Sequence, residues 1–236
     1  TKKCRTLDAY KEEIKKKGEE LVKEVFPQRV FEIEELLKSE LLARATERDT
    51  IDVPIPVPKS DSVCPPTKKR MLNEGDGHGL TPVFHFPCGE FPLNSSIKEL
   101  FDLTRPLCQR LVFEAQNVRL WIQFSIPRIE DGNNFGVGIQ EDVLSEVASI
   151  ERDAITYMEG ITRYYAARGK MVSKIAQFPH INDYREALIE QDIKQAFGMH
   201  LTLLEIRNHY AMLNDLIMKN LDRIKVPRSN HSVSLY

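Results

Sequence analysis

A chain of 236 residues, 42% hydrophobic and 29% charged, can bury a sizeable core and has the balance of a soluble globular protein. Its 33 basic and 35 acidic residues leave a net charge of −2, so no single-sign field covers it and nucleic acid is excluded as the main partner. No apolar run approaches the ~18–20 residues that span a bilayer, and no signal-type apolar core follows the basic N-terminus, so no membrane partner is expected.

Because the sequence opens on Thr1 and not on Met, a processed or missing start is the expectation. Cys4, Cys64, Cys88 and Cys108 are scattered with no C-x-x-C pair. That pattern argues for reduced thiols in a cytosolic or nuclear compartment, against a disulfide framework and against metal ligation.

Residues 6–39 read as helix, with Leu7, Tyr10, Ile14, Leu21, Val22, Val25, Val30, Ile33, Leu36 and Leu37 at helical spacing. Pro27 interrupts the pattern and predicts a kink. Both periodicities then fail. IDVPIPVPKSDSVCPPTKKR carries five prolines and NEGDGHGLTP three glycines, the composition of a long loop or linker. VFHF (83–86) is its one candidate strand.

Helix returns at Ser96-Ile97-Lys98-Glu99, a capping-box pattern, and runs with a second kink expected at Pro106 until Pro127 ends it. A third helix is predicted from about Ile139 to Gln177, closed by Phe178-Pro179. A fourth follows the candidate cap Asn182-Asp183 and ends near Ile224. The fold class is therefore all-α, a bundle of four long helices. In this division, 1–40 is the N-terminal helix and 41–93 a flexible insert. Residues 94–226 hold the other three helices around a loop at 126–137, and 227–236 form a mobile tail. The apolar stripes of the last two helices are broader than one neighbour covers, so a bundle neighbour or another subunit must take the remainder.

Enzyme chemistry leaves no signature. None of the six histidines has a Glu three residues before it, which excludes the di-iron bundle pattern, and H-E-x-x-H is absent. Gly169-Lys170 lacks the rest of a phosphate-binding loop, and Gly75, Gly77 and Gly79 lead into Pro82, not into a helix. No cofactor or metal is expected.

What remains is IPRIEDGNNFGV (126–137), far richer in Gly and Asn than a simple turn needs. It resembles the activation loop of the 11S proteasome activators, the REG family. The likeness continues through ITRYYAARGKMVSKIAQFPHINDYRE, EIRNHYAML, IMKN and VPRS, and through VFPQRVFEIEELLK and DVPIPVP near the N-terminus. PPTKKRMLNE and the terminal SLY are most similar to the gamma type. The resemblance implies a protomer that assembles into a homoheptameric ring, docks on the α-ring of the 20S proteasome and opens its gate without ATP. Arg128, Ile129, Glu130, Asp131, Gly132, Asn133, Asn134, Phe135 and Gly136 would be the gate-contacting loop, with Asn133 its most sensitive member. Ser234, Leu235 and Tyr236 would dock in pockets of the proteasome, the terminal carboxylate meeting a lysine.

The loop residues suit that role. Gly132 and Gly136 permit backbone angles other residues avoid, Asn133 and Asn134 tolerate αL, and Phe135 is expected to anchor the loop. Lys68-Lys69-Arg70 is a candidate nuclear import patch, placing the protein in the nucleus and also the cytoplasm. The competing reading is a helical scaffold that recruits partners through loop and insert without gating; an enzyme of unrecognised class stands behind it.

Overall fold

A computed structural model of the chain describes residues 6–45, 57–58, 84–85, 90–128 and 134–228. The import patch Lys68-Lys69-Arg70 and most of the insert lie outside the described residues, as do Ile129–Asn133 and Ser234–Tyr236. Four long helical rods form the bundle. The first is α1 (Leu7–Glu20), a π-helical turn (Leu21–Val25) and α2 (Phe26–Leu37). After the short α3 (Glu40–Ala45) come α4 (Ser95–Ser125), α5 (Phe135–Gln177) and α6 (Asn182–Lys219), with a last short helix α7 (Leu221–Lys225). Within the insert, β1 (Val57–Pro58) pairs antiparallel with β2 (Phe84–His85), so the strand expected in VFHF forms as a two-residue ladder.

The kink expected at Pro27 takes the form of the π turn just before it. In the π register the Phe26 amide reaches back to the Leu21 carbonyl, and the Val22 carbonyl would face Pro27, which has no N–H to give. Asn214 of α6 donates its Nδ2 to that carbonyl at 2.6 Å. A sequence defect thus becomes a helix–helix contact. Pro106, the second kink expected from sequence, lies inside a helix of 31 residues.

The capping box at Ser96 does not form, because Asn94 captures the helix start first. Its Oδ1 accepts from the Ile97 amide at 3.1 Å, while its Nδ2 donates to Asp192 at 3.0 Å. Asp192, buried, also accepts from the Tyr164 hydroxyl at 2.9 Å and from Arg168 Nε at 3.4 Å. Asn94 caps α4 and ties it to α6, and Asp192 carries the tie on to α5. The fourth rod ends earlier than periodicity predicts: Asn220 donates its side chain to the Leu216 carbonyl at 2.8 Å and breaks the helix ahead of α7.

Trp121, Ile122, Val147, Ile150, Leu203, Ile206 and Tyr210 meet in one continuous core with Phe26, whose ring stands edge-on to Tyr210 at 5.2 Å between centroids. Glu114 joins three rods, accepting from Tyr210 at 2.7 Å and from Arg29 at 3.1 Å. The excess apolar surface on the long helices is real: Ile155 is 44%, Phe197 54% and Met212 53% exposed.

Gly18 is where α1 closes on α4. A Cβ there would lie 2.7 Å from the Cβ of Trp121, which is only 1% exposed and has no room to retreat. Gly18→Ala adds helix propensity of about 1 kcal/mol but overpacks the core by about 1–3 kcal/mol. We expect a net loss of stability in chemical denaturation. An unchanged or raised midpoint would show that α1 can slide away from Trp121.

Candidate functional site

The loop begins where Pro127 pushes Ile126 into extended geometry (φ −68°, ψ 126°) and stops α4. It ends sooner than the sequence suggests. The third helix opens at Phe135, four residues before the predicted Ile139, so Phe135, Gly136 and Val137 are its first turn and not loop. Phe135, the expected anchor of the loop, is 71% exposed. Gly136 is needed for a different reason from backbone angle: a Cβ on it would lie 2.0 Å from the Pro227 carbonyl oxygen and 2.6 Å from the Pro227 Cα. The backbone of the tail root passes directly over the first turn of α5.

Asn134 stands at the N-cap position of α5 but makes no side-chain cap. Its Oδ1 instead accepts from the Arg228 guanidinium at 3.0 Å, and the same guanidinium donates to the Arg128 carbonyl, also at 3.0 Å. Arg228 therefore bridges the two described ends of the loop. Beneath it, Gln140 is fully buried and donates its Nε2 to the Ser125 carbonyl at 3.1 Å and to the Ile224 carbonyl at 2.7 Å. Two carbonyl acceptors fix which way this amide points, since its oxygen in that place would be repelled by both. The end of α4, the start of α5 and the end of α7 are thereby one platform. Lys225 extends it to α1 through Glu19 at 2.6 Å, an ion pair that, with Lys23, holds the Glu19 carboxyl below its usual range despite partial burial.

Of the residues named from sequence, the structure brings together Arg128, Asn134 and Gly136. It adds three that sequence reasoning missed: Gln140, Pro227 and Arg228. Gln140 carried a signal, because it falls one turn before Val143 and two before Val147 on the buried stripe of α5, where a polar side chain needs a specific partner. Nothing local marked Arg228.

The hollow at this platform is open, about 440 Å³, and lined by Ile126, Arg128, Asn134, Glu141 and Arg228 among others. Among the described residues, its lining includes no Ser, Cys or His. Among the described residues no group of three His, Cys, Asp or Glu could hold a metal. Elsewhere, burial pushes the Cys108 thiol up to about 12, which leaves it without nucleophilic thiolate at neutral pH. The arrangement holds three helix ends together beside the two ends of the loop.

Comparison with known proteins agrees. The family pattern described as Proteasome activator PA28, C-terminal, matches residues 90–234, and that described as Proteasome activator PA28, N-terminal, matches residues 1–59. The chain belongs to the PA28 family of proteasome activators. Its human relative "Proteasome activator complex subunit 3" is 37% identical, with 98% of this chain and 94% of the relative covered. The Gallus gallus protein of the same name is 36% identical over the same shares. These relatives are of the gamma type, in agreement with the subtype read from PPTKKRMLNE and SLY. Among solved structures, the PA28 11S subunit of the Plasmodium falciparum proteasome superposes with TM-score 0.74 at 27% identity, covering 94% of this chain and 92% of that one. A chain of a proteasome–11S activator complex shares the fold at TM-score 0.68 and 16% identity, covering 97% of this chain and 100% of that one. The PA28 family is named for regulators and not for enzymes, and the platform of this member fits that class.

The contact between Gly136 and Pro227 is testable in the isolated PA28 chain. Gly136→Ala forces the tail root off α5, so backbone amides at 224–228 should exchange with solvent faster while the cores of α4 and α6 stay protected. Unchanged protection at 224–228 would mean that the two segments do not touch in solution.

Proposed function

We propose that this PA28-family chain is one subunit of a homoheptameric ring that docks on the α-ring of the 20S proteasome and opens its gate for peptides without ATP. One observation carries this reading: the loop ends and the tail root share a single platform, stapled by Arg228 and packed at Gly136. Loop and tail therefore leave the bundle side by side, as a protein that must dock with one and push with the other requires. The exposed apolar residues Ile155, Phe197 and Met212 on α5 and α6 support subunit packing around a ring.

In this mechanism the work is mechanical. A gate held by peptide tails opens when the backbone turns beneath them shift slightly, and that needs a finger at fixed height, not a nucleophile. Arg128 to Asn134 supply the finger, with Asn133 at its most sensitive point and Phe135 and Gly136 supporting it as the first turn of α5. Ser234, Leu235 and Tyr236 supply docking through carboxylate capture. Ordering a tail costs about 1–2 kcal/mol per residue, so one tail gains little. Seven tails on one ring raise avidity by ~10²–10⁴ once the first is bound. Lys68-Lys69-Arg70 would direct the protein to the nucleus, with a cytoplasmic pool besides.

Purified protein mixed with latent 20S proteasome and a fluorogenic peptide should raise hydrolysis several-fold. Binding without stimulation would instead favour a scaffold that recruits partners, and no binding at all would sink the proposal. Two variants separate the parts. Asn133→Tyr should leave ring assembly and docking intact but abolish stimulation; a fully active variant would remove the loop from the mechanism. Deleting Leu235-Tyr236 should abolish docking at low concentration, by the loss of avidity of ~10²–10⁴, and undiminished co-sedimentation with the proteasome would refute the tail assignment.

A further inference from the structure

We propose that Arg228 is a positioning residue that couples the C-terminal tail to the loop, so that docking by the one sets the height of the other. The inference rests on the gating reading for its consequence but on geometry for its existence. Arg228 follows Pro227, and Pro227 is buried against Gly136 with no room for a side chain between them. The root of the tail therefore has one fixed seat on the first turn of α5. From that seat the guanidinium fork reaches both ends of the loop, the Arg128 carbonyl and the Asn134 Oδ1, each at 3.0 Å. A planar fork with several donors can hold two acceptors at once in a set geometry, which a lysine ammonium on its flexible stem does not.

The choice made by Asn134 adds weight. An Asn at an N-cap ordinarily spends its side-chain oxygen on the amides of its own helix. Here no such bond forms and the oxygen faces Arg228. The start of α5 has exchanged a local cap for a long-range tie to residue 228, which is the exchange expected where the position of the loop matters more than the stability of one helix end. Immediately below, Gln140 joins the Ser125 and Ile224 carbonyls, so the seat of Arg228 cannot move without moving both helix ends. Tension on the tail passes through a proline and one arginine to the two ends of the loop. Docking and loop height then become one coordinate.

Two measurements decide it. In the isolated full-length protein, Arg228→Ala should make amides at 126–128 and 134–138 exchange at least roughly tenfold faster, the change that loss of a charge-assisted hydrogen bond produces, with core protection unaltered. In the presence of 20S proteasome, the variant should dock with wild-type affinity, because Ser234 to Tyr236 are untouched, yet reach a maximal stimulation several-fold lower at saturating ring. Arg228→Lys, which keeps the charge and one bond, should fall between. Wild-type loop exchange in Arg228→Ala would overturn the coupling. So would full stimulation at saturation, or a loss explained wholly by weaker docking. Should Arg228→Ala fail to assemble, Arg228→Lys and Asn134→Ala carry the same readings, since each removes part of the tie. A wild-type protein that never stimulates would defeat the gating reading alone, leaving the exchange result to judge the coupling.

Discussion

The side-chain amide of Gln140 sits where three helix ends meet, and the rest of the functional face depends on it. Helix ends leave backbone carbonyls without intrahelical partners, and a buried one without a donor is expensive. The carbonyls of Ser125 and Ile224 are two such groups, and one buried Nε2 satisfies both. The chain can therefore stop α4, start α5 and stop α7 within one small volume. With that junction in place, Pro227 can lie on Gly136 and Arg228 can reach across the loop.

The rods that carry the junction are tied by polar contacts between elements distant in sequence. Asn214 fills the vacancy left by the π turn, Glu114 links α2, α4 and α6, and Asp192 links the start of α4 to α5 and α6. Each is a buried or half-buried group, and Glu114 and Asp192 each have partners from two other elements. A broken member would leave its fellows unsatisfied, which penalises sliding of one rod along another. The frame is stiff lengthwise, and stiffness is what a platform needs if it is to hold a loop at a set level. Its one described cysteine is buried and held protonated.

Mechanical coupling of this kind divides labour in a way that chemistry at a single centre does not. In the proposed mechanism, binding energy gathered at the tails is a sum over copies and tolerates imprecision, because each tail would find its own pocket. Displacement of a neighbouring backbone tolerates little, because a shift of an ångström decides whether a turn moves. In that proposal the Arg228 fork stands between the two regimes, because it ties the root of the tail to both ends of the loop.

The all-α class, the four rods, the breaks at Pro127 and Phe178-Pro179 and the family itself were legible in the sequence. Periodicity reports which face of a helix is buried, proline reports where an N–H is missing, and both are local facts. The VFHF strand was legible for the same reason. Tertiary structure alone decided that Pro27 is absorbed by a π turn with help from Asn214, that Asn94 and not Ser96 caps α4, and that Gly136 serves close approach. It also decided that Phe135 stays on the surface and that Asn134 gives its oxygen to Arg228. The hydrogen-bonded ones depend on partners between 94 and 192 residues away, and Gly136 depends on the space left by the tail root. A sequence window holds one member of such a pair and nothing that names the other.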